Sequence, residues 1–118
     1  MIEGLWVVEF LAPQVDEFDL NGGVVVIETG RVLGGDSGYV YIGDINPIAD
    51  GWSLHVTITR HDSSIMSIFG DLDEYALSGV ALVEPNPPVP QTCLIARLKN
   101  DASQIELVVR LKKVAELP

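Results

Sequence analysis

The segment GGVVVIETGRVLGGDSGYVYIGDI, residues 22–45, decides the fold of this protein. Its β-branched run VVVI lacks a helical period and predicts a strand buried on at least one face. Thr29-Gly30 predicts a tight hairpin turn, because Gly30 can adopt the positive φ that such turns require. A second turn, GGDSG, follows after a short return. The segment therefore predicts an antiparallel meander of three strands, at 24–27, 31–33 and 39–42.

The rest of the chain continues this pattern of short apolar runs between turn residues. Asn46-Pro47 and Asp50-Gly51 mark a loop, and Asn100 to Ser103 marks a hairpin turn. Five further strands are expected, at 3–11, 52–60, 75–83, 91–99 and 104–113. Together the eight strands predict one all-β domain, residues 1–118, closed as an eight-stranded antiparallel up-and-down barrel, because closure removes exposed edges. A two-sheet sandwich is the alternative.

The charge of the chain is strongly acidic and unevenly distributed. Net charge is −10, with 17 Asp and Glu against 7 Lys and Arg. Residues 1–90 hold 14 acids and 2 bases, net −12, whereas residues 91–118 hold 3 acids and 5 bases, net +2. Direct binding to nucleic acid is disfavoured, because duplex binders place cations on phosphates. A protein partner with a basic surface is expected, with solubility as the simpler explanation of the charge.

The single cysteine, Cys93, excludes an internal disulfide framework and suits a reducing cytoplasm. The apolar run from Leu5 to Leu11 is too short to span a membrane, is interrupted by Glu9 and follows no positive residue. We therefore expect a cytoplasmic protein that is not bound to a membrane.

Apolar residues on both faces of the first strand suggest that this strand is buried on both sides. Trp6, Val8 and Phe10 share one face, and the opposite face is also mostly aliphatic. The connection at 61–70 contains Ile65, Met66, Ile68 and Phe69 and is too apolar to project into water, so we expect it to fold over one barrel end or to pack on a partner. These two features predict a homodimer.

Residues of catalytic type do not form a recognisable motif in this chain. His55 and His61 would lie near 20 Å apart on an extended strand at about 3.3 Å per residue, too far to share one metal ion. Ser37 lies in a GDSG sequence, but in a predicted hairpin, where glycine and aspartate are ordinary turn residues. We therefore expect no catalysis, no metal site and no cofactor.

A barrel of eight strands can enclose one small ligand, and inward-facing aromatic residues would line such a cavity. Candidate lining residues share two strand faces: Trp6, Phe10, Tyr39 and Tyr41. The simpler alternative is that these side chains fill the barrel.

Three motifs resemble the small GrlR-like family, named for a negative regulator of type III secretion gene expression. They are GGVVVIETGRVLGGDSGYVYIG at 22–43, LHVTITRHD at 54–62 and FGDLDEY at 69–75, and the matching pattern covers roughly residues 4–80. The resemblance implies a lipocalin-like barrel of eight strands, a homodimer, and action by binding rather than catalysis. The family's namesake carries an acidic run in the loop before its fifth strand, whereas residues 46–51 here hold a single acid.

The function expected from the resemblance is that of a regulatory protein that binds a protein partner, such as a transcription activator. The alternative is a carrier or sensor of a small apolar ligand. For the first function, acidic loops are the candidate partner-binding residues: Asp16, Glu17, Asp50, Asp71, Asp73 and Glu74.

Overall fold

The computed structural model describes residues 2–11, 22–64, 72–103 and 106–118. Eight strands account for most of them, and the described part of the chain contains no helix. In chain order the strands are β1 (Gly4–Leu11), β2 (Val24–Glu28), β3 (Arg31–Gly35), β4 (Tyr39–Ile48), β5 (Gly51–Arg60), β6 (Glu74–Val83), β7 (Cys93–Lys99) and β8 (Glu106–Ala115). The described residues include no helix long and apolar enough to cross a membrane.

Each strand pairs with the next in antiparallel fashion, and β8 pairs with β1, so the sheet closes on itself. The closing seam runs from the pair Leu5 and Ala115 to the pair Leu11 and Val108. The predicted eight-stranded up-and-down barrel is confirmed, and the sandwich alternative is wrong. The seam distinguishes the barrel from a sandwich, because it pairs β1 with β8, the two strands that would otherwise be exposed edges.

The barrel core comes from alternate residues of every strand, as the period of two requires. Trp6, Ala81 and Ala96 are fully buried, and the surrounding core is aliphatic apart from Tyr39 and Tyr41. Trp6 Nε1 donates to the carbonyl of Ile2 at 2.8 Å, so the one polar atom of the largest core side chain is satisfied.

The β2–β3 hairpin has the predicted turn, with positive φ at both central residues, 50° at Thr29 and 78° at Gly30. Two positive φ values define a type I′ turn, whose twist matches that of the flanking strands. Thr29 N–H also donates to Glu3 Oε2 at 2.8 Å, which ties the hairpin to the start of β1.

The predicted loop at Asn46-Pro47 is wrong, because β4 continues through these residues to Ile48. Pro47 pairs with Trp52 on the β5 side. Ile45 N–H points to the other side and donates to the Gly30 carbonyl at 2.9 Å. The nitrogen of Pro47 faces the same side as that of Ile45 but lies beyond the end of β3. No strand there needs a hydrogen-bond donor, so a proline is tolerated. The turn lies at Ala49 and Asp50 instead.

Candidate functional site

The barrel interior contains an apolar cavity of about 50 Å³, lined by side chains from all eight strands. An apolar cavity that holds benzene measures about 150 Å³, roughly three times this volume. The interior is therefore largely filled by its own side chains.

Four aromatic residues were predicted from the sequence as cavity lining, and they occupy different places in the structure. Phe10 and Tyr41 line the cavity. Trp6 is completely buried in the core and Tyr39 is buried, but neither is among the lining residues. Tyr39 instead packs edge-on against Tyr75, with ring centroids 6.2 Å apart and planes at 62°. This geometry is favourable for aromatic pairs and helps to fill one end of the barrel.

The GGDSG turn is held by the carboxylate of Asp36. Its Oδ1 accepts hydrogen bonds from the backbone N–H groups of Gly38 and Tyr39, each at 2.8 Å. Its Oδ2 accepts a hydrogen bond from the Tyr41 hydroxyl, so the one polar atom of this cavity-lining side chain has a hydrogen-bond partner. Burial and the Asp36 carboxylate both raise the pKa of Tyr41 above its ordinary value. Tyr41 is therefore a neutral hydrogen-bond donor that fixes the turn.

The end of β5 folds against the same turn. The His61 N–H donates to the Gly38 carbonyl at 2.8 Å, and His61 Nε2 lies 3.1 Å from the Asp36 carbonyl oxygen. Arg60 donates to Asp73 Oδ1 from Nη2 at 2.6 Å, which joins the start of β6 to the end of β5. Arg60, the last residue of β5, and His61, which follows it, thus make contacts that hold the GDSG turn and join Asp73 to the end of β5.

Ser37, His55 and Cys93 lie on three different elements of the fold. Ser37 and His55 are exposed, on the β3–β4 turn and on the outer face of β5. Cys93 is buried, and burial raises the pKa of its thiol, which disfavours the reactive thiolate. Within residues 2–11, 22–64, 72–103 and 106–118, no three His, Cys, Asp or Glu side chains lie together as a metal site.

The predicted acidic partner-binding residues do not form one surface. Asp50 is exposed in the turn before β5, whereas Asp73 and Glu74 are exposed beyond the other end of that strand. The ten residues of β5 span about 30 Å at 3.3 Å per residue, so the two groups occupy opposite ends of the barrel. Asp73 also forms an ion pair with Arg60. Asp16, Glu17 and Asp71 lie outside the described residues, as do Ile65 to Phe69.

Two cross-strand rows on the outer surface of the first four strands are apolar, a feature that the sequence analysis found only for β1. Register places Leu5, Val26, Leu33 and Ile42 in one cross-strand row and Val7, Val24 and Val40 in the next. We call these seven residues the apolar band. Ile42 is 57% exposed, Val24 47% and Leu33 45%. Apolar residues on both faces of β4 were a signal for this band, but only the strand register shows that the side chains are neighbours.

One row of the apolar band continues without charge onto the next two strands. Ile42 pairs with Thr57, which in turn pairs with Ala76, so this row crosses six strands, about 25 Å at a strand spacing of about 4.8 Å. In the other row Val40 pairs with Thr59, but Thr59 pairs with the exposed Glu74, so a carboxylate ends that row on β6.

Comparison with known proteins adds no relative: no protein-family model matches this chain, and no curated protein matches it. The resemblance to the GrlR-like family therefore rests on the three sequence motifs themselves.

Proposed function

We propose that this protein is a non-catalytic regulatory binding protein, which acts on a protein partner such as a transcription activator through its outer surface. One observation carries the proposal: the interior is filled to a residual cavity of about 50 Å³, while aliphatic side chains are exposed outside. Exposed apolar patches bounded by polar residues are typical of protein–protein contacts. The small cavity disfavours the alternative of a ligand carrier, because such a carrier needs room for its ligand.

The apolar band is the proposed interface of a cytoplasmic homodimer. Two copies, each with net charge −10, repel least where they meet through uncharged surface. A two-fold interface joins the same patch on both copies, and a stable one buries about 800 Å² per partner. The band crosses four strands, about 15 Å at a strand spacing of about 4.8 Å, and can supply the apolar core of such an interface, with the adjacent threonines as its rim.

Sedimentation velocity at tens of micromolar tests this arrangement. We expect the wild type to sediment as a dimer and the double variant Leu33→Lys, Ile42→Lys to sediment as a folded monomer, because four buried cations would face each other in the dimer. Val83→Lys is the matched control, since Val83 is also an exposed aliphatic residue but lies on β6, outside the band. A wild-type monomer, or a double variant that stays dimeric, would rule out this interface.

The regulatory partner is proposed to present a basic surface to the exposed acids beyond β5, represented in the described residues by Asp73 and Glu74. Exposed charges mainly steer encounter, so Glu74→Lys should slow association more than it speeds dissociation. Asp50→Lys makes the same charge change at the opposite end of the barrel and is the control.

The test begins with a pull-down from native lysate and continues with association rates of the captured protein between about 0.1 and 1 M salt, where the Debye length falls from about 10 to 3 Å. A decline of the rate with salt, larger for the wild type than for Glu74→Lys, supports the proposal. Salt-independent association, tight binding to duplex DNA at physiological salt, or recovery of a bound lipid instead of a protein contradicts it.

A further inference from the structure

Arg97 lies in a groove of about 370 Å³ on the outer face of β6 and β7. Val80, Leu82 and Ile95 form the apolar part of this groove, and Lys99 lies at one end of it. Val80 is 43% exposed and Leu82 49% exposed. We call this site, defined by Val80, Leu82, Ile95, Arg97 and Lys99, the basic groove.

The strand register explains why aliphatic side chains surround Arg97. Arg97 pairs with Val80 on one side and with Val108 on the other, and Leu82 pairs with Ile95 one step along the strands. Directly opposite residues have Cβ atoms about 5 Å apart, so the nearest cross-strand neighbours of Arg97 are two valines. Neither of them can neutralise a guanidinium.

Within the described residues, Arg97 and Lys99 also form no ion pair. Arg31, Arg60, Arg110 and Lys113 each pair with a carboxylate. In the described part of the chain, no such pair forms at Arg97 or Lys99, although Glu106 lies opposite Lys99 in the strand register. At physiological ionic strength the Debye length is about 8 Å, so charges near the groove act more strongly on a bound group than the distant acids of the protein.

We propose that the basic groove receives a short acidic segment of a partner protein, in which carboxylates are flanked by aliphatic or aromatic side chains. The apolar side chains would contact Val80, Leu82 and Ile95, and a carboxylate would accept two hydrogen bonds from the planar guanidinium of Arg97. Arginine is well suited to this role because its fork matches a carboxylate, and it is enriched at the energetic centres of interfaces. The inference is independent of the proposed function, which uses other surfaces.

Charge complementarity selects this occupant over a nucleic acid. A duplex carries one negative charge per about 1.7 Å of its axis and extends far beyond a groove with two cations. Outside the groove it would meet the surface of a protein with a net charge of −10. A segment of a few residues places its carboxylates on Arg97 and Lys99 and avoids the acidic remainder.

The probe for the test is a fluorescein-labelled six-residue peptide that alternates glutamate with leucine and phenylalanine, about 20 Å long when extended, with binding measured by fluorescence anisotropy. We expect saturable binding by the wild type, at least tenfold weaker binding by Arg97→Glu, and no binding of the same peptide with glutamine in place of glutamate. Arg31→Glu reverses an exposed arginine on β3 and should bind within about twofold of the wild type, since distant exposed substitutions act independently. Circular dichroism of each variant shows that the barrel is retained.

Backbone amide shifts locate the bound peptide. Shifts confined to residues of β6 and β7 around Val80, Ile95 and Arg97 support the proposal, whereas shifts on the apolar band overturn it. Absence of binding by the wild type, or equal binding by wild type and Arg97→Glu, also overturns it. If Arg97→Glu abolishes self-association of the unliganded protein, the occupant is a second copy of this chain and the proposed partner segment is wrong.

Discussion

Glu9 and Arg110 face each other across the β1–β8 seam, although 101 positions separate them in the chain. Arg110 Nη1 lies 4.0 Å from Glu9 Oε2, and the same guanidinium makes two hydrogen bonds of 2.9 Å to Glu84. The hydrogen-bonded Glu84 carboxylate raises the pKa of Arg110. Arg110 thus interacts with two carboxylates, those of Glu9 and Glu84, at the seam that closes the barrel.

Replacement of Arg110 should therefore destabilise the barrel more than the loss of an ordinary surface ion pair. The side chains of Arg110, Glu9 and Glu84 are all less than a fifth exposed. Removal of one member of a buried pair costs about 3 kcal/mol or more, because a charge is left buried without a partner. We expect Arg110→Leu to lower the free energy of unfolding in urea by about 3 kcal/mol. Arg31→Leu breaks the exposed pair with Glu28 and should cost less than about 1 kcal/mol. Equal losses in the free energy of unfolding for Arg110→Leu and Arg31→Leu would contradict a special contribution of the Arg110 interactions to the stability of the seam.

The raised pKa of Tyr41 predicts a loss of stability in alkali. In the unfolded chain this hydroxyl ionises near pH 10, whereas in the barrel it stays protonated to higher pH. Above pH 10 the unfolded state therefore binds fewer protons than the folded state. The free energy of unfolding should then fall by up to about 1.4 kcal/mol per pH unit. Below pH 10 both states keep the proton, and Tyr41 adds no slope.

Urea unfolding of the wild type and Tyr41→Phe at pH 8 to 11 checks this prediction. The difference between the two proteins isolates Tyr41 from the lysines and Cys93. We expect a steeper decline for the wild type above pH 10 and parallel curves below it. Parallel curves over the whole range would show that Tyr41 ionises as readily in the barrel as in water.

Thr29 is a site where one substitution should increase stability. It adopts φ of 50° in the type I′ turn, a conformation that is unfavourable for a β-branched residue. Asn-Gly is the preferred sequence for this turn. Thr29→Asn should raise the free energy of unfolding by about 1 kcal/mol, measured by thermal or urea unfolding. Gly30→Ala in the same turn provides the opposite control and should destabilise, because φ there is 78°.

A substitution that enlarges the cavity tests whether the core side chains alone exclude ligands from the barrel. Leu54 is buried and lines the cavity. Leu54→Ala should lower the free energy of unfolding by about 3 kcal/mol, and the enlarged apolar space should bind benzene. Benzene should then raise the thermal midpoint of the variant and leave that of the wild type unchanged. Leu72→Ala, at an exposed position, should change stability by less than about 0.5 kcal/mol. A shift of the wild-type midpoint by benzene would favour the carrier alternative.

The individual strands are predictable from sequence because their determinants are local. The VVVI run forms β2, alternation at 52–60 forms β5, and Thr29-Gly30 forms the turn that joins β2 to β3. Boundaries are less predictable where a neighbouring strand decides them. Pro47 looks like a loop residue in isolation, yet it continues β4 because β3 ends before it and no hydrogen bond is required on that side.

The surfaces proposed to be functional depend on register, which is a tertiary property. Leu33 and Ile42 become neighbours in the apolar band only through the pairing of β3 with β4, and Val80 reaches Arg97 only through the pairing of β6 with β7. Strand composition and net charge follow from the sequence, because they depend on residue type and short-range periodicity. The positions of the charged and apolar side chains relative to one another follow from closure of the barrel. That closure brings residues from opposite ends of the chain, such as Glu9 and Arg110, to within about 4 Å, because it pairs the first strand with the last.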